Sequence, residues 1–197
     1  MLISVADARL LCRRVFAETL GASEAAVLAA TDVLVDADLR GISSHGILVL
    51  PYYVDKWRQG QIVAAAEPEV LSSTVTTTRY DAHQAIGHHA SRLAMESAID
   101  RAREAAKKVV EGLRPGDRVT VIKVVEQPEQ VLSRFTADTK SILAEIDNIQ
   151  VGSSRGNLYA AFSQLYGGKS AELSKLDAPL VYLFSDLQQS GWREFGL

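Results

Sequence analysis

Val70-Leu71-Ser72-Ser73-Thr74-Val75-Thr76-Thr77-Thr78-Arg79-Tyr80 is the stretch that decides the fold, because a helical sequence there gives way to a β-forming one. Val and Thr branch at Cβ and favour an extended backbone, so the composition predicts one strand over residues 70–80. Downstream, apolar residues at helical spacing predict a long helix over residues 88–111, with Leu93, Ala94, Ile99, Ala102, Ala106, Val109 and Val110 as candidate buried positions. Gly112 and Pro115-Gly116 end it. The β-branched run Val119-Thr120-Val121-Ile122-Lys123-Val124-Val125 predicts a strand covered on both faces. A short extended piece over residues 130–135 follows, then helices over residues 138–149 and 157–166. Leu180-Val181-Tyr182-Leu183-Phe184 predicts a last, short, buried strand.

Upstream the chain is helical. Ser4 and Ser23 stand where helix N-caps belong, and Gly21 and Gly41 stand where those helices stop. A third apolar segment runs over residues 45–58, with Pro51 fitting only near a first turn. Strand and helix alternating from residue 70 onward predict an α/β chain: a helical N-terminal segment, then a small three-layer open sheet, mostly parallel. The expected organisation is a helical segment over residues 1–66 and a fused α/β unit over residues 67–197.

Composition narrows the function classes. The 197 residues are 47% hydrophobic and 23% charged, as in a globular protein, with 21 Lys and Arg against 24 Asp and Glu. That balance gives no electrostatic footprint for nucleic acid or an anionic membrane. No apolar run reaches the ~18–20 residues of a membrane span. Charges fall where a signal peptide would need its apolar stretch, so the expected location is the cytoplasm. Cys12, the single cysteine, is expected as a buried thiol. Gly167-Gly168-Lys169-Ser170 fails the phosphate-loop spacing because position 163 is Ser, and it is expected to be a loop. Trp192 and Phe195 are expected to cover a sheet edge.

Two stretches carry family resemblance. Ala37-Asp38-Leu39-Arg40-Gly41-Ile42-Ser43-Ser44-His45-Gly46, continuing to Pro51, Tyr53 and Val54 and through Asp81 and Ile86-Gly87, resembles the N-terminal part of the malate/L-lactate dehydrogenase family over residues 1–104. From about residue 101 the chain resembles a von Willebrand factor A-type domain. The matching words are Leu113-Arg114-Pro115-Gly116-Asp117, Phe135-Thr136-Ala137-Asp138, Asn157-Leu158-Tyr159 and Phe184-Ser185-Asp186. The chain looks like a fusion of two truncated pieces through a shared helix.

The first resemblance implies an NAD(P)-dependent oxidoreductase of small 2-hydroxy acids, commonly a homodimer. It assigns catalytic roles to His45 and Ser44, and a place at the cofactor to Arg40 and Gly46. Histidine suits proton transfer near neutral pH. The family's carboxylate-holding arginine is replaced by Val49, and most of the nicotinamide-binding domain gives way to the second family. The expected result is a folded but catalytically incomplete protein.

The second resemblance implies a cation-dependent protein-interaction module whose oxygen ligands suit Mg²⁺. Asp186 matches one ligand, and Gly156 stands where a ligating threonine belongs. If the strand over residues 70–80 replaces the lost first strand of that sheet, Asp81 takes the place of the other aspartate, with His83 beside it. His83, His88 and His89 then make a cluster better suited to Zn²⁺, Ni²⁺ or Cu²⁺. A third alternative is a scaffold without activity.

Overall fold

The computed structural model describes residues 3–132, 135–152, 155–166 and 179–185. They fall into two compact units, Met1–Arg101 and Ala102–Leu197. The boundary therefore lies well past residue 66, and the β-forming stretch belongs with the helices that precede it.

In the first unit the Ser4 hydroxyl accepts a hydrogen bond from the Asp7 N–H at 3.1 Å and opens α1 (Val5–Arg13). The chain continues as a π-helical stretch over Arg14–Thr19 and stops at Gly21, whose φ of +72° only glycine adopts freely. Ser23 caps α2 (Glu24–Leu39) by accepting from the Ala26 N–H. Two short 3₁₀ turns, Ser43–His45 and Ile47–Val49, lead into α3 (Leu50–Arg58). Pro51 lies in its first turn, where a missing N–H leaves no bond unmade.

Cys12, Phe16, Leu20, Ala26, Val27, Ala30, Leu34 and Val35 form the core with Leu50, Ala64 and Ile86. α2 contributes so much of it because its apolar residues fall on more than one face. Each large side chain removed from water there contributes about 1.5–3 kcal/mol.

The stretch over residues 70–80 is not one strand. β1 (Glu69–Ser73) pairs antiparallel with β2 (Thr78–Asp81), Val70 opposite Tyr80 and Glu69 opposite Asp81. The threonines that favour an extended chain also close a turn: the Thr74 hydroxyl accepts from the N–H groups of Thr76 and Thr77, and the Thr74 N–H donates to the Thr77 carbonyl at 2.8 Å. The Arg101 guanidinium donates to the Thr74 and Val75 carbonyls and to the Ser73 hydroxyl, fastening the hairpin tip.

α4 (Gly87–Glu111) follows, and the boundary between the units falls within it. Of its candidate buried positions only Val110 is fully buried. Leu93, Ala94, Ile99, Ala106 and Val109 are half-buried, and Ala102 is exposed.

In the second unit Val110 packs with Ile142 and Ile146 of α5 (Thr139–Asn148), which Asp138 caps by accepting from the Ser141 N–H. Lys107 pairs with Asp147 at 2.7 Å, and Arg103 donates to the Ile149 carbonyl where α5 ends. The β-branched run yields only β3 (Ile122–Lys123), paired antiparallel with β4 (Glu129–Gln130). Its residues are half-buried, not covered on both faces. α6 (Leu158–Tyr166) comes next.

The α/β class and the helical N-terminal segment stand as expected, and the sheet differs. Among the described residues there are two two-stranded sheets, each antiparallel. Their connections, residues 74–77 and 124–128, are too short for the crossover that parallel neighbours require. Leu180 to Phe184, expected as a buried strand, form no strand and are exposed. The loop over residues 167–170, Asp186, Trp192 and Phe195 lie outside the described residues.

Candidate functional site

The corner after α2 is built by Asp38 and Gly46. Gly41, at a φ of +75°, turns the chain out of α2, and the following 3₁₀ turn carries Ser44 and His45. Asp38, in the last turn of α2, reaches forward so that its Oδ2 accepts from the Ile47 N–H at 2.8 Å. That bond satisfies a donor otherwise left open as the chain enters the second turn.

Gly46 is buried directly against the Asp38 carboxylate, and a Cβ on it would overlap that group. Its φ of −91° is ordinary, so glycine is required here by the close approach and not by the backbone angle.

Ser44 and His45 both face solvent, and the Ser44 Oγ lies 2.9 Å from His45 Nδ1. The bond holds one ring nitrogen. The other, Nε2, has no hydrogen-bond partner among the described residues. An imidazole anchored at Nδ1 can exchange a proton at Nε2 with a bound hydroxyl. Arg40, at the end of α2, donates to the Asp36 carboxylate at 2.7 Å. Val49, half-buried in the second 3₁₀ turn, offers no cation for a substrate carboxylate.

The structure separates the three histidines that spacing groups together. His83 Nε2 meets Glu69 at 3.1 Å, and its backbone N–H donates to Asp81 Oδ1 at 2.8 Å. His88 Nδ1 lies 3.2 Å from the Tyr53 hydroxyl, and His89 Nε2 lies 2.6 Å from Glu67. Among the described residues no three His, Cys, Asp or Glu side chains gather closely enough to hold a metal ion. The physical reason is the hairpin. Asp81 ends β2 opposite Glu69, and β2 pairs with β1, not with the strands of the second unit.

The Tyr53–His88 pair is a feature that sequence reasoning missed. Burial raises the Tyr53 hydroxyl above its ordinary pKa of 10.0, with Tyr52 adding to the effect, and burial lowers His88 below 6.5. Both groups are thus held neutral. The available signal was the apolar face of α3, on which Leu50, Tyr53 and Val54 point to the core where Phe16 meets the Tyr53 ring edge-on at 5.3 Å.

Glu67 is lowered below 4.5, chiefly by a hydrogen bond from Ser23 and then by His89. Cys12 is fully buried, and burial, reinforced by Asp38, raises its thiol above 9.0, which keeps it from acting as a nucleophile.

Residues 3–111 match the malate/L-lactate dehydrogenase family, and residues 87–188 match the von Willebrand factor type A domain. The chain belongs to both families. The two matches overlap over residues 87–111, which are the residues of α4.

Among curated relatives, the chain is similar to L-sulfolactate dehydrogenase of Methanothermobacter thermautotrophicus, 43% identical over 72 residues. That match covers 36% of this chain and 21% of the relative. It is also similar to malate/(S)-sulfolactate dehydrogenase of Methanothermus fervidus, 31% identical over 110 residues, covering 56% of this chain and 32% of the relative. The chain therefore spans only about a fifth to a third of these relatives. The crystal structure of malate dehydrogenase from Entamoeba histolytica superposes with a TM-score of 0.51 at 28% identity, over 53% of this chain and 29% of that one. Among the described residues no helix is long and apolar enough to cross a membrane.

Proposed function

We propose that the chain carries the proton-transfer corner of an NAD(P)-dependent 2-hydroxy acid oxidoreductase on a scaffold that does not complete the catalytic site. The observation that carries this reading is the exposed Ser44–His45 pair, held in place by Asp38 and Gly46, in a stretch that matches the dehydrogenase family. In this reading His45 accepts the substrate hydroxyl proton, Ser44 orients its ring, and Arg40 and Gly46 lie on the cofactor side.

Oxidising a 2-hydroxy acid also needs a cation for the carboxylate and a nicotinamide within hydride range. Val49 supplies no charge, and the family match changes over α4, so the residues present meet only part of that requirement.

The test is a steady-state assay of NADH and NADPH oxidation with 2-oxo acids such as oxaloacetate and pyruvate, run beside His45→Ala. The expected result is the same background rate for both proteins. Turnover that disappears in His45→Ala would show a complete site and overturn the reading.

A further inference from the structure

The β1–β2 hairpin lies in the first unit, and residues 3–132 around it are described without a break. It buries almost nothing. All five residues of β1 are exposed, β2 alternates between half-buried and exposed, and neither strand contributes a residue to the core of the first unit. The two strands pack on each other and on no other element to a comparable extent. A two-stranded hairpin with no apolar face against a core is marginal in water.

Its own pairing is also imperfect. The register slips between Val70 and Ser72, so Leu71 has no residue opposite it. At the base Glu69 stands opposite Asp81, two carboxylates that repel, and the His83 ring reaches both, at 3.1 Å and 3.6 Å.

The tip is fastened in another way. The Arg101 guanidinium donates to the Ser73 hydroxyl and to the Thr74 and Val75 carbonyls, three acceptors on consecutive residues. Among the described residues no carboxylate draws it away. Hydrogen bonds from a cation are the stronger kind, and the planar fork serves several acceptors at once.

We infer that residues 69–81 form a strap that opens as a unit while the helical core stays folded, with Arg101 as the clasp that holds it shut. The inference does not depend on the proposed function, since neither Ser44 nor His45 takes part in these contacts. Trypsin cuts an unpaired segment, so cleavage after Arg79 reports how much of the strap is open.

The experiment follows native-state trypsin cleavage after Arg79 by mass spectrometry in the full chain, Arg101→Ala and Arg101→Lys. Hydrogen exchange of the β1, β2 and Leu34 amides is measured beside it in low urea, and far-UV circular dichroism reports the helices of each variant. Wild-type hairpin amides are expected to exchange faster than Leu34, at rates that low urea leaves unchanged. Arg101→Ala is expected to speed cleavage after Arg79 about tenfold or more, the factor for one lost hydrogen bond to a charged group, with Leu34 unaffected. Arg101→Lys, which keeps the charge without the fork, is expected to speed it less. Hairpin amides as protected and as urea-sensitive as Leu34 would overturn the strap, because it would open only with the core. Wild-type cleavage in both variants would overturn the clasp. Loss of the helical signal in Arg101→Ala would also count against the inference, because hairpin and core would then not be separable.

Discussion

The two units contain similar numbers of residues but differ in what they bury. In Met1–Arg101 twelve buried residues from α1, its π-helical continuation, α2, α3 and the connections join in one cluster, with Phe16 and Leu34 almost wholly enclosed. In Ala102–Leu197 the described cluster has three, Val110, Ile142 and Ile146, while an apolar segment of strand-forming residues remains in solvent. The contrast teaches that apolar content and apolar burial are separate quantities. The first unit has helices whose faces meet. Among the described residues the second has β-forming sequence, Val119 to Val125 and Leu180 to Phe184, of which only Ile122 and Lys123 join a strand pair and Leu180 to Phe184 join none.

The largest effect expected from breaking this contrast is at Phe16. Phe16→Ala empties the centre of the first cluster and removes the edge-on contact with Tyr53. It is expected to cost about 3–5 kcal/mol in urea denaturation followed by helical circular dichroism. A loss below about 1 kcal/mol would mean that the first unit is not the well-packed one.

Gly46→Ala comes next. Its Cβ displaces the Asp38 carboxylate and with it the bond to Ile47, at an expected cost of about 1–3 kcal/mol. Asp38→Ala frees the same space, so the double variant is expected to be no less stable than Gly46→Ala alone. Strict additivity would separate the two residues.

Ser4→Ala removes the α1 cap and is expected to cost about 1 kcal/mol, read as a small shift in the same denaturation midpoint.

The smallest effect is in pH. Glu67 and His88 both have folded pKa values below their ordinary values of 4.5 and 6.5, so the unfolded chain binds more protons and stability rises with pH. The His88 contribution is expected to fall away as pH drops below 6.5, and the Glu67 contribution as pH drops through its lowered value. Glu67→Gln is expected to flatten the acid end of a stability–pH curve. The change is modest, because Glu67 is solvent-exposed and its field is screened.

Much of the helical half was legible from the sequence, because each helix carries its own punctuation. Ser4 and Ser23 cap where caps were expected, and Gly21, Gly41 and Pro51 fall where their backbone needs place them. The sheets were not legible. Thr74 to Thr78 satisfy an extended backbone and a hydroxyl-closed turn equally well, and local composition does not choose between them. Likewise, Leu180 to Phe184 have the composition of a buried strand, but burial depends on partners elsewhere in the chain.

The dehydrogenase-like motif singles out Ser44, His45 and Gly46 as candidates. It could not show that Gly46 is fixed by Asp38, a residue eight positions earlier that only the fold brings into contact. The three histidines were close in sequence and diverged in space because a tight loop, with His83 and Gln84 at positive φ, separates β2 from α4.

Residue-resolved hydrogen exchange of the full chain under native conditions tests the contrast most directly. Amides of Leu34 and Val35 in α2 are expected to exchange far more slowly than those of Ile142 and Ile146 in α5, because opening the first cluster exposes much more apolar surface. Equal protection at the two sites, or slower exchange in α5, would contradict the account.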